Sequence, residues 1–347
     1  MYIKRIIWIA SIVILIGLGG FSYYIYQTIF GPNTKFSEPE KELFIGSKDT
    51  YKDVYFKLKP LLKNPDGFHQ IANKKKYSTN VKPGRYLLQK GMNNNELVNT
   101  LRSANLPVKV SFNNQDFPEL LAGRIAEQIE ADSMSLLNVF KDETFLQKHD
   151  LSKANSLNIY LPNTYQFYWN TSAEEFRERM LKEYNQFWNA NRKSKASALN
   201  LSPSQVISLA SIVQKETAKV DERAKVAGVY LNRLKKGMKL QADPTVIYAL
   251  KKTQNNFDTI IKRVLYKDLA IDSPYNTYMY EGLPPGPIAM PDLNSIDAVL
   301  NAEQHDYYYF VADLERVGYH KFAKTLAQHN RNAALYREWI NKQGVYR

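Results

Sequence analysis

Residues 202–217 read SPSQVISLASIVQKET, and this stretch has the pattern of a helix start followed by an apolar stripe. Ser202 is followed by Pro203 and, three residues after the serine, by Gln205. A serine before the helix and a glutamine at the third helical position form a capping box, in which each side chain accepts a free backbone N–H. Proline is favoured at the first helical position. The stretch therefore predicts a helix that begins at Pro203.

Glu216 falls on the apolar face of this predicted helix. At about 100° per residue it lies only about 20° from Leu209 on the helical wheel. The apolar residues of that face are Val206, Leu209, Ile212 and Val213. The opposite face carries Ser208, Ser211 and Lys215. A carboxylate among apolar neighbours loses hydration, which raises its pKa and suits it to general acid catalysis near neutral pH. A structural alternative is a glutamate at a helix end that meets solvent or pairs with a cation such as Arg223.

Composition limits the kinds of chemistry that this chain can perform. The chain has 347 residues, 44% of them hydrophobic and 23% charged, and its sequence contains no cysteine. This length predicts two or three folded units with a sizeable core. Without cysteine, disulfides, thiolate catalysis and zinc ribbons are excluded. The five histidines form no H-E-x-x-H pattern, and the sequence has no G-x-S-x-G elbow, P-loop or dinucleotide-binding glycines. We therefore expect neither a metal ion nor a cofactor.

The N-terminus predicts a membrane anchor. No charged residue occurs from Ile6 to Tyr26, and about 20 apolar residues can span a bilayer as a helix. Lys4 and Arg5 precede this run and the next positive charge is Lys35, which predicts a cytoplasmic N-terminus and an extracytoplasmic remainder. A cleaved signal peptide fits less well, because the run is longer than a signal h-region and no clear small-x-small site ends it. The protein is therefore expected to be a single-pass protein of the cytoplasmic membrane.

The net charge of +13 raises the question of an anionic partner. Nucleic acid is the usual partner of such a charge. A domain on the outer side of the membrane would not meet it, so no nucleic acid partner is expected. Anionic lipid and an anionic cell-wall polymer remain, and dispersed solvated lysines account for most of the charge.

The rest of the chain divides into a linker, a small module and a larger α+β region. Residues 31–41 are polar and predict a linker. Residues 42–104 combine short strands with paired helices, as suits a small binding domain. Beyond them, an alternating strand at 108–112 is followed by helices and by further strand signals. The polar run 189–196 predicts a loop before the Ser202 helix.

Turn-forming segments after Glu216 concentrate polar residues. Their prolines and glycines fix the backbone, which suits the positioning of a substrate, although ordered turns are the structural alternative for each one. These segments are 241–248, 273–278 and 282–288. A strand at 307–311 then leads through a predicted hairpin to His320. The chemistry that these residues favour is carbohydrate or acid–base chemistry around a single glutamate.

Several of these segments resemble the endolytic murein transglycosylases, the YceG-like (MltG) family. The resemblance covers roughly residues 200–330 in order and spacing, and an N-terminal anchor followed by a LysM-like module is also that family's layout. The motifs that carry it are ASIVQKET (210–217), GVYLNRL (228–234), GMKLQADPT (237–245), YNTY (275–278), GLPPGPI (282–288), FVA (310–312) and HN (329–330).

The resemblance implies an enzyme that cleaves the glycan strands of peptidoglycan internally, at the surface of the cytoplasmic membrane. Its partners would be glycan strands, the membrane and, as further candidates, peptidoglycan synthases. The implied domains are a cytoplasmic N-terminus with a transmembrane helix (1–30), a linker (31–41), a LysM-like module (42–104) and a YceG-like catalytic domain (105–347).

The family's catalytic glutamate corresponds to Glu216. The family often has a second glutamate where this chain has Gln214, which leaves Glu216 as the only candidate acid in the run. A second departure is the sequence 113–116, which replaces the family's Pro-Glu-Gly turn near the start of the catalytic domain. The candidate substrate-binding residues are Gln241, Asp243, Thr245, Tyr275, Asn276, Thr277 and His320.

One carboxyl group is enough for a lytic transglycosylase, because the substrate supplies its own nucleophile. Glu216 would act first as acid and then as base, and the product would carry a 1,6-anhydro end. Two other functions stay open at this point. One is a catalytically inactive, membrane-anchored scaffold that binds cell wall. The other is a hydrolytic muramidase that uses Glu216 and Asp243 as a carboxylate pair.

Overall fold

A computed structural model describes residues 2–261 and 263–342 of the chain. These residues form two compact units. The smaller unit contains residues 2–110, 128–131 and 165–172, and the larger contains 111–127, 132–164 and the remainder from 173 onward. The end of the predicted catalytic domain, 343–347, lies outside the described residues. Helices and small sheets occur in both units, as the prediction of a mixed α and β protein requires.

The smaller unit begins with a long apolar helix. Helix α1 spans Tyr2–Phe30, and an 18-residue window of it has a mean hydropathy of 2.1. It is long and apolar enough to cross a membrane. The remaining elements of this unit are β1 (Glu40–Ile45), α2 (Tyr51–Leu58), α3 (Pro65–Lys74), β2 (Gly84–Gln89) and α4 (Asn94–Ser103).

A two-stranded antiparallel sheet and helices α2, α3 and α4 bury the core of the small unit. Strand β1 pairs with β2 from Glu40 opposite Gln89 to Ile45 opposite Gly84. The segment before β1, predicted to be a linker, bonds into this unit: Asn33 Oδ1 accepts the backbone N–H of Asn64 at 2.6 Å. Helix α4 begins with a capping box formed by Asn93 and Glu96.

The larger unit is mainly helical. Strands β3 (Pro107–Phe112) and β4 (Asn163–Tyr168) form a second two-stranded sheet. The helices of the larger unit are α5 (Pro118–Ala126), α6 (Ser133–Phe140), α7 (Glu143–Lys148), α8 (Ala173–Phe187), α9 (Ala190–Ala198), α10 (Pro203–Glu216), α11 (Arg223–Lys235), α12 (Asp243–Thr253), α13 (Leu293–Leu300) and α14 (Leu326–Lys342). Strands β5 (Tyr309–Ala312) and β6 (His320–Ala323) form the predicted hairpin.

Helix α10 is the central element of the larger unit. The predicted capping box at Ser202 is confirmed, and helices α9, α11, α12 and α13 pack against α10. Ser208 and Ser211, on the face opposite the apolar stripe, are also buried. Burial costs little here because each hydroxyl donates to a backbone carbonyl of the preceding turn, and Ser211 Oγ also accepts the N–H of Ile288 at 3.0 Å.

The loop predicted at 189–196 is instead part of helix α9. Asn189 is its N-cap, and its side chain accepts the N–H of Arg192 at 3.0 Å. The run is polar because Ala196 is the one buried residue of this helix, and its alanine, lysine and arginine residues favour helix intrinsically. The polar composition of this segment is explained by its exposure, and the prediction of a loop was wrong because the segment is a helix.

The loop at 282–288 lies close to other backbone. A Cβ atom on Gly286 would meet the carbonyl oxygen of Ala154 at 1.9 Å. Only glycine fits this close approach of two backbone segments. Since Ile288 then bonds to Ser211, this loop is fixed against the side of α10.

Candidate active site

Glu216, at the C-terminal end of α10, lines a cavity of about 560 Å³ in the larger unit. Its Oε1 atom accepts a hydrogen bond of 2.8 Å from the hydroxyl of Tyr230 on α11. The ion pair with Arg223 that would have made Glu216 a structural residue is absent from the described part of the chain. The Arg223 guanidinium instead donates to Asn294 and Ser295.

The surroundings of Glu216 raise its pKa. Burial is the largest cause and brings the pKa from its ordinary value of 4.5 to about 7. The hydrogen bond from Tyr230 and the charge of Arg233 oppose this rise, whereas the charge of Asp243 adds to it. A carboxyl group with this pKa is present in both protonation states near neutral pH, which general acid–base catalysis requires.

Arg233 connects three sides of the cavity. It lies one turn after Tyr230 on α11 and is only 8% exposed. Its Nε donates to the carbonyl of Tyr308 at 2.6 Å, just before β5, and its Nη1 donates to the carbonyl of Leu240 at 2.7 Å. Burial lowers the pKa of this guanidinium, while nearby tyrosines and Glu216 oppose the change. Arg233 therefore holds a positive charge beside Glu216 and fixes the segment that leads into α12.

Two of the predicted substrate-binding residues, Gln241 and Asp243, line the same cavity. Gln241 has a φ angle of +50°, a left-handed conformation that non-glycine residues adopt uncommonly. Asp243 is the first residue of α12, whose N-cap is Ala242. The Asp243 carboxylate accepts a hydrogen bond of 2.6 Å from Tyr278, which also lines the cavity.

His320, at the start of β6, is the third predicted residue that lines the cavity. Its Nδ1 atom lies 2.8 Å from a carboxylate oxygen of buried Glu222, and its backbone N–H donates to the other oxygen at 2.7 Å. The His320 ring also packs edge-on against Phe310 of β5. Glu222 therefore fixes both the backbone and the ring of His320.

The other four predicted binding residues are not among those that line this cavity. Thr245 and Thr277 are buried and their hydroxyls lie 2.9 Å apart. The buried Asn276 side chain donates to the carbonyls of Leu269 and Ile271. These groups hold the 269–278 segment in place behind Gln241 and Asp243, so the geometry gives them a supporting position. Tyr275 is also buried, and its hydroxyl donates to the carbonyl of Ala154 at 3.2 Å.

The other residues of the cavity wall were not predicted as site residues, although many of them lie in the motifs that carry the family resemblance. Tyr230 and Arg233 lay inside a family-like motif, and their spacing of three residues on one predicted helix could have paired them with Glu216. One wall is formed by Phe310, Val311 and Ala312 of β5. Another is formed by four residues of α14, namely His329, Ala333, Tyr336 and Arg337. Their spacing of three and four residues is the signal that places them on one face of a helix.

No group of three or more metal-ligating side chains is found among residues 2–261 and 263–342. The polar side chains of the cavity are a carboxyl pair, two guanidinium groups, one amide, two imidazoles and tyrosine hydroxyls. They can exchange a proton, donate hydrogen bonds and pack against a ring.

The fold and this cavity define a mixed α and β protein whose central feature is a carboxyl group with a near-neutral pKa. The model of the YceG-like family matches residues 43–335. The chain therefore belongs to the YceG-like family.

Characterised relatives agree with this assignment. An endolytic murein transglycosylase of Bacillus subtilis is 34% identical over 297 residues, which is 81% of this chain and 79% of that protein. An endolytic murein transglycosylase of Streptococcus pneumoniae is 30% identical over 77% of this chain, but the match spans only 52% of the pneumococcal protein. The crystal structure of a YceG-like protein of Listeria monocytogenes has a TM-score of 0.57, is 29% identical, and is matched over 99% of its length by 85% of this chain.

Proposed function

We propose that this protein is an endolytic peptidoglycan transglycosylase. It cleaves the bond between N-acetylmuramic acid and N-acetylglucosamine within nascent glycan strands and leaves 1,6-anhydro ends, which would end strand elongation. The observation that carries the proposal is the Glu216 carboxyl group, with a pKa of about 7, in a cavity within the larger unit. The activity named for the Bacillus and Streptococcus relatives supports the same reaction.

The reaction needs one group that first gives a proton and then takes one. Protonated Glu216 donates its proton to the glycosidic oxygen while the bond from that oxygen to C1 of N-acetylmuramic acid breaks. The resulting carboxylate then removes the proton from the C6 hydroxyl of the same sugar as O6 bonds to C1. Glu216 ends protonated again, and no water is consumed. A pKa near the working pH serves both steps.

Neighbouring groups prepare Glu216 for these two steps. The Tyr230 hydroxyl fixes one carboxylate oxygen, so the acid keeps one orientation. The Asp243 carboxylate adds negative charge to the cavity, where it can stabilise the positive charge that develops at C1 in an oxocarbenium-like transition state. We assign Gln241 and His320 to sugar binding from the cavity wall. Thr245, Tyr275, Asn276 and Thr277 would act by supporting that wall.

The smaller unit would place this chemistry at the membrane. Helix α1 is proposed as the anchor, with a cytoplasmic N-terminus and an extracytoplasmic catalytic domain over residues 105–347. Residues 42–104 are proposed as a LysM-like module that binds glycan, which is supported by the β1 and β2 sheet with two helices between its strands. Peptidoglycan synthases are the proposed protein partners.

Product analysis tests the proposed reaction. We expect the full chain, in detergent micelles with uncross-linked glycan strands, to release fragments that end in 1,6-anhydro-N-acetylmuramic acid, detected by mass spectrometry. Reducing ends in their place would instead identify a hydrolase that uses Glu216 and Asp243 as a pair. Binding without any cleavage would identify a scaffold.

Tyr230→Phe should shift the pH dependence of cleavage upwards. The Tyr230 hydrogen bond lowers the pKa of Glu216, so its removal raises that pKa above about 7. Because the first step needs protonated Glu216, the alkaline limb of kcat/KM should move to higher pH, and the maximal rate should fall about tenfold as the acid loses its orientation. The measurement is a pH–rate profile of product release.

Tyr55→Phe is the matched control for this variant. It removes a hydroxyl that bonds to Asp66 in the smaller unit. The alkaline limb of its kcat/KM profile against pH should coincide with that of the wild type. If the Tyr230→Phe profile also coincided with the wild type, Tyr230 would have no part in setting the pKa of Glu216.

A further inference from the structure

The last turns of helix α14 extend the cavity wall beyond the family match. The family model ends at residue 335, and α14 continues to Lys342. Tyr336, the next residue, lines the cavity that contains Glu216. One turn further along, Trp339 stacks on Tyr336 with ring centroids 6.2 Å apart and planes 27° from parallel. Two aromatic rings thus continue from the cavity along the helix.

The Trp339 ring is available to a ligand. Trp339 is 43% exposed, so much of its side chain faces solvent. It lies at the C-terminal end of α14, and this helix contains no buried residue after its start at Leu326. Packing within the described chain therefore does not account for the aromatic pair.

A cationic donor lies beside the aromatic pair. Arg337 follows Tyr336 directly, is exposed, and lines the same cavity. Within the part of the chain that the structure describes, it makes no ion pair. His329, two turns earlier on the same wall, stacks on Tyr309, and its buried Nδ1 atom has no hydrogen-bond partner among the described residues. The wall therefore combines flat apolar faces with free polar donors and acceptors.

We propose that Tyr336, Arg337 and Trp339 form a saccharide subsite that binds the glycan strand next to the cleavage position. This inference rests on the proposed function, because it takes the occupant of the cavity to be glycan. A sugar ring has an apolar C–H face that can pack on an aromatic ring, and polar edges that need hydrogen-bond partners. The aromatic pair would bind the face, and Arg337 would bind a carbonyl or carboxylate oxygen of the sugar's substituents.

The continuity of the patch with the catalytic cavity favours glycan over other occupants. A glycan strand cut internally must extend on both sides of the broken bond, so the wall next to Glu216 has to bind sugar units that do not react. The subsite would contribute binding to the substrate and to the transition state alike. It should therefore affect KM and leave kcat unchanged.

Trp339→Ala tests the subsite by binding and by kinetics. In the full chain carrying Glu216→Gln to block turnover, we expect Trp339→Ala to weaken binding of long glycan strands about tenfold, the loss that corresponds to one stacking contact. With Glu216 intact, KM should rise by a similar factor at unchanged kcat. Trp339→Phe should restore most of the affinity because it keeps an aromatic face.

Leu326→Ala is the matched control, since Leu326 is an apolar residue of the same helix that is 55% exposed and is not among the cavity residues. It should bind strands like the parent. Equal binding by Trp339→Ala and the parent would overturn the subsite even if anhydro ends are formed. Equal losses in both variants would overturn it too, as would a change of oligomeric state caused by Trp339→Ala. A wild type that binds strands through Trp339 but forms no anhydro ends would refute the proposed reaction alone.

Discussion

Glu216→Gln is expected to reduce the formation of anhydro ends by at least about 1,000-fold while leaving the protein folded. Glutamine has the shape of glutamate and can still accept the hydrogen bond from Tyr230. It cannot give a proton to the glycosidic oxygen or take one from the C6 hydroxyl. The measurement is the rate of anhydro-end release by mass spectrometry at saturating glycan, beside the melting temperature of each protein.

The same substitution should make stability depend less on pH. The pKa of Glu216 is about 7 in the folded protein, above its ordinary value of 4.5. A carboxyl group of this kind stabilises the fold only while it is protonated, so the wild type loses stability as the pH rises from about 4.5 to about 7. The loss has an upper limit of about 3 kcal/mol. Glutamine does not titrate, so the Glu216→Gln variant does not lose this stability. Its melting temperature should therefore rise relative to that of the wild type between pH 5 and pH 8.

Gln214 provides the control for the catalytic assignment. Its Oε1 atom accepts the backbone N–H of Asp292 at 2.6 Å and the hydroxyl of Ser295 at 2.8 Å, so its side chain is bound at the start of α13. A glutamate at this position should not replace Glu216. We therefore expect the double variant Gln214→Glu, Glu216→Gln to stay inactive. Activity in the double variant, or a large loss of stability in Glu216→Gln alone, would contradict the single-acid mechanism.

Local sequence signals were sufficient for the element that carries the acid. The capping box at Ser202 predicted the start of α10 correctly, because it depends on residues within one turn of the helix. The periodicity of the stretch could not show that Ser211 is buried, because its hydroxyl bonds to Ile288, which is distant in sequence. Composition failed at α9 for a related reason: an exposed helix and a loop are both polar.

Which residues line the cavity depends on tertiary contacts that sequence spacing does not encode. Glu216 could be singled out from its own helix, and Gln241, Asp243 and His320 do line the cavity with it. Nothing local separates them from residues such as Asn276, whose side chain bonds to nearby carbonyls. Polar residues in ordered turns look alike in sequence whether they support a wall or form its surface.

Arg233→Met should destabilise the larger unit by about 3 kcal/mol and lower its melting temperature by about 10 °C. Methionine keeps much of the side-chain volume but removes the donors to the carbonyls of Tyr308, Leu240 and Lys239. Those carbonyls belong to the residue just before β5 and to the segment that leads to Gln241 and Asp243, so both walls of the cavity lose a common anchor. Removing the positive charge also raises the pKa of Glu216, because Arg233 lowers it in the wild type.

Two further variants distinguish this anchoring role from a general effect of charge. Arg233→Lys keeps the positive charge but cannot reach several carbonyls with one planar group. Its pH–rate profile should therefore be close to that of the wild type, while its melting temperature stays below that of the wild type. Arg192→Met removes a guanidinium that pairs with Asp297 on a partly exposed surface, and it should cost less than about 1 kcal/mol. Thermal unfolding and pH–rate profiles of the three variants give both quantities. If Arg233→Met and Arg192→Met were equally stable, the hydrogen bonds of Arg233 would not hold the cavity together, and its contribution would be limited to its charge beside Glu216.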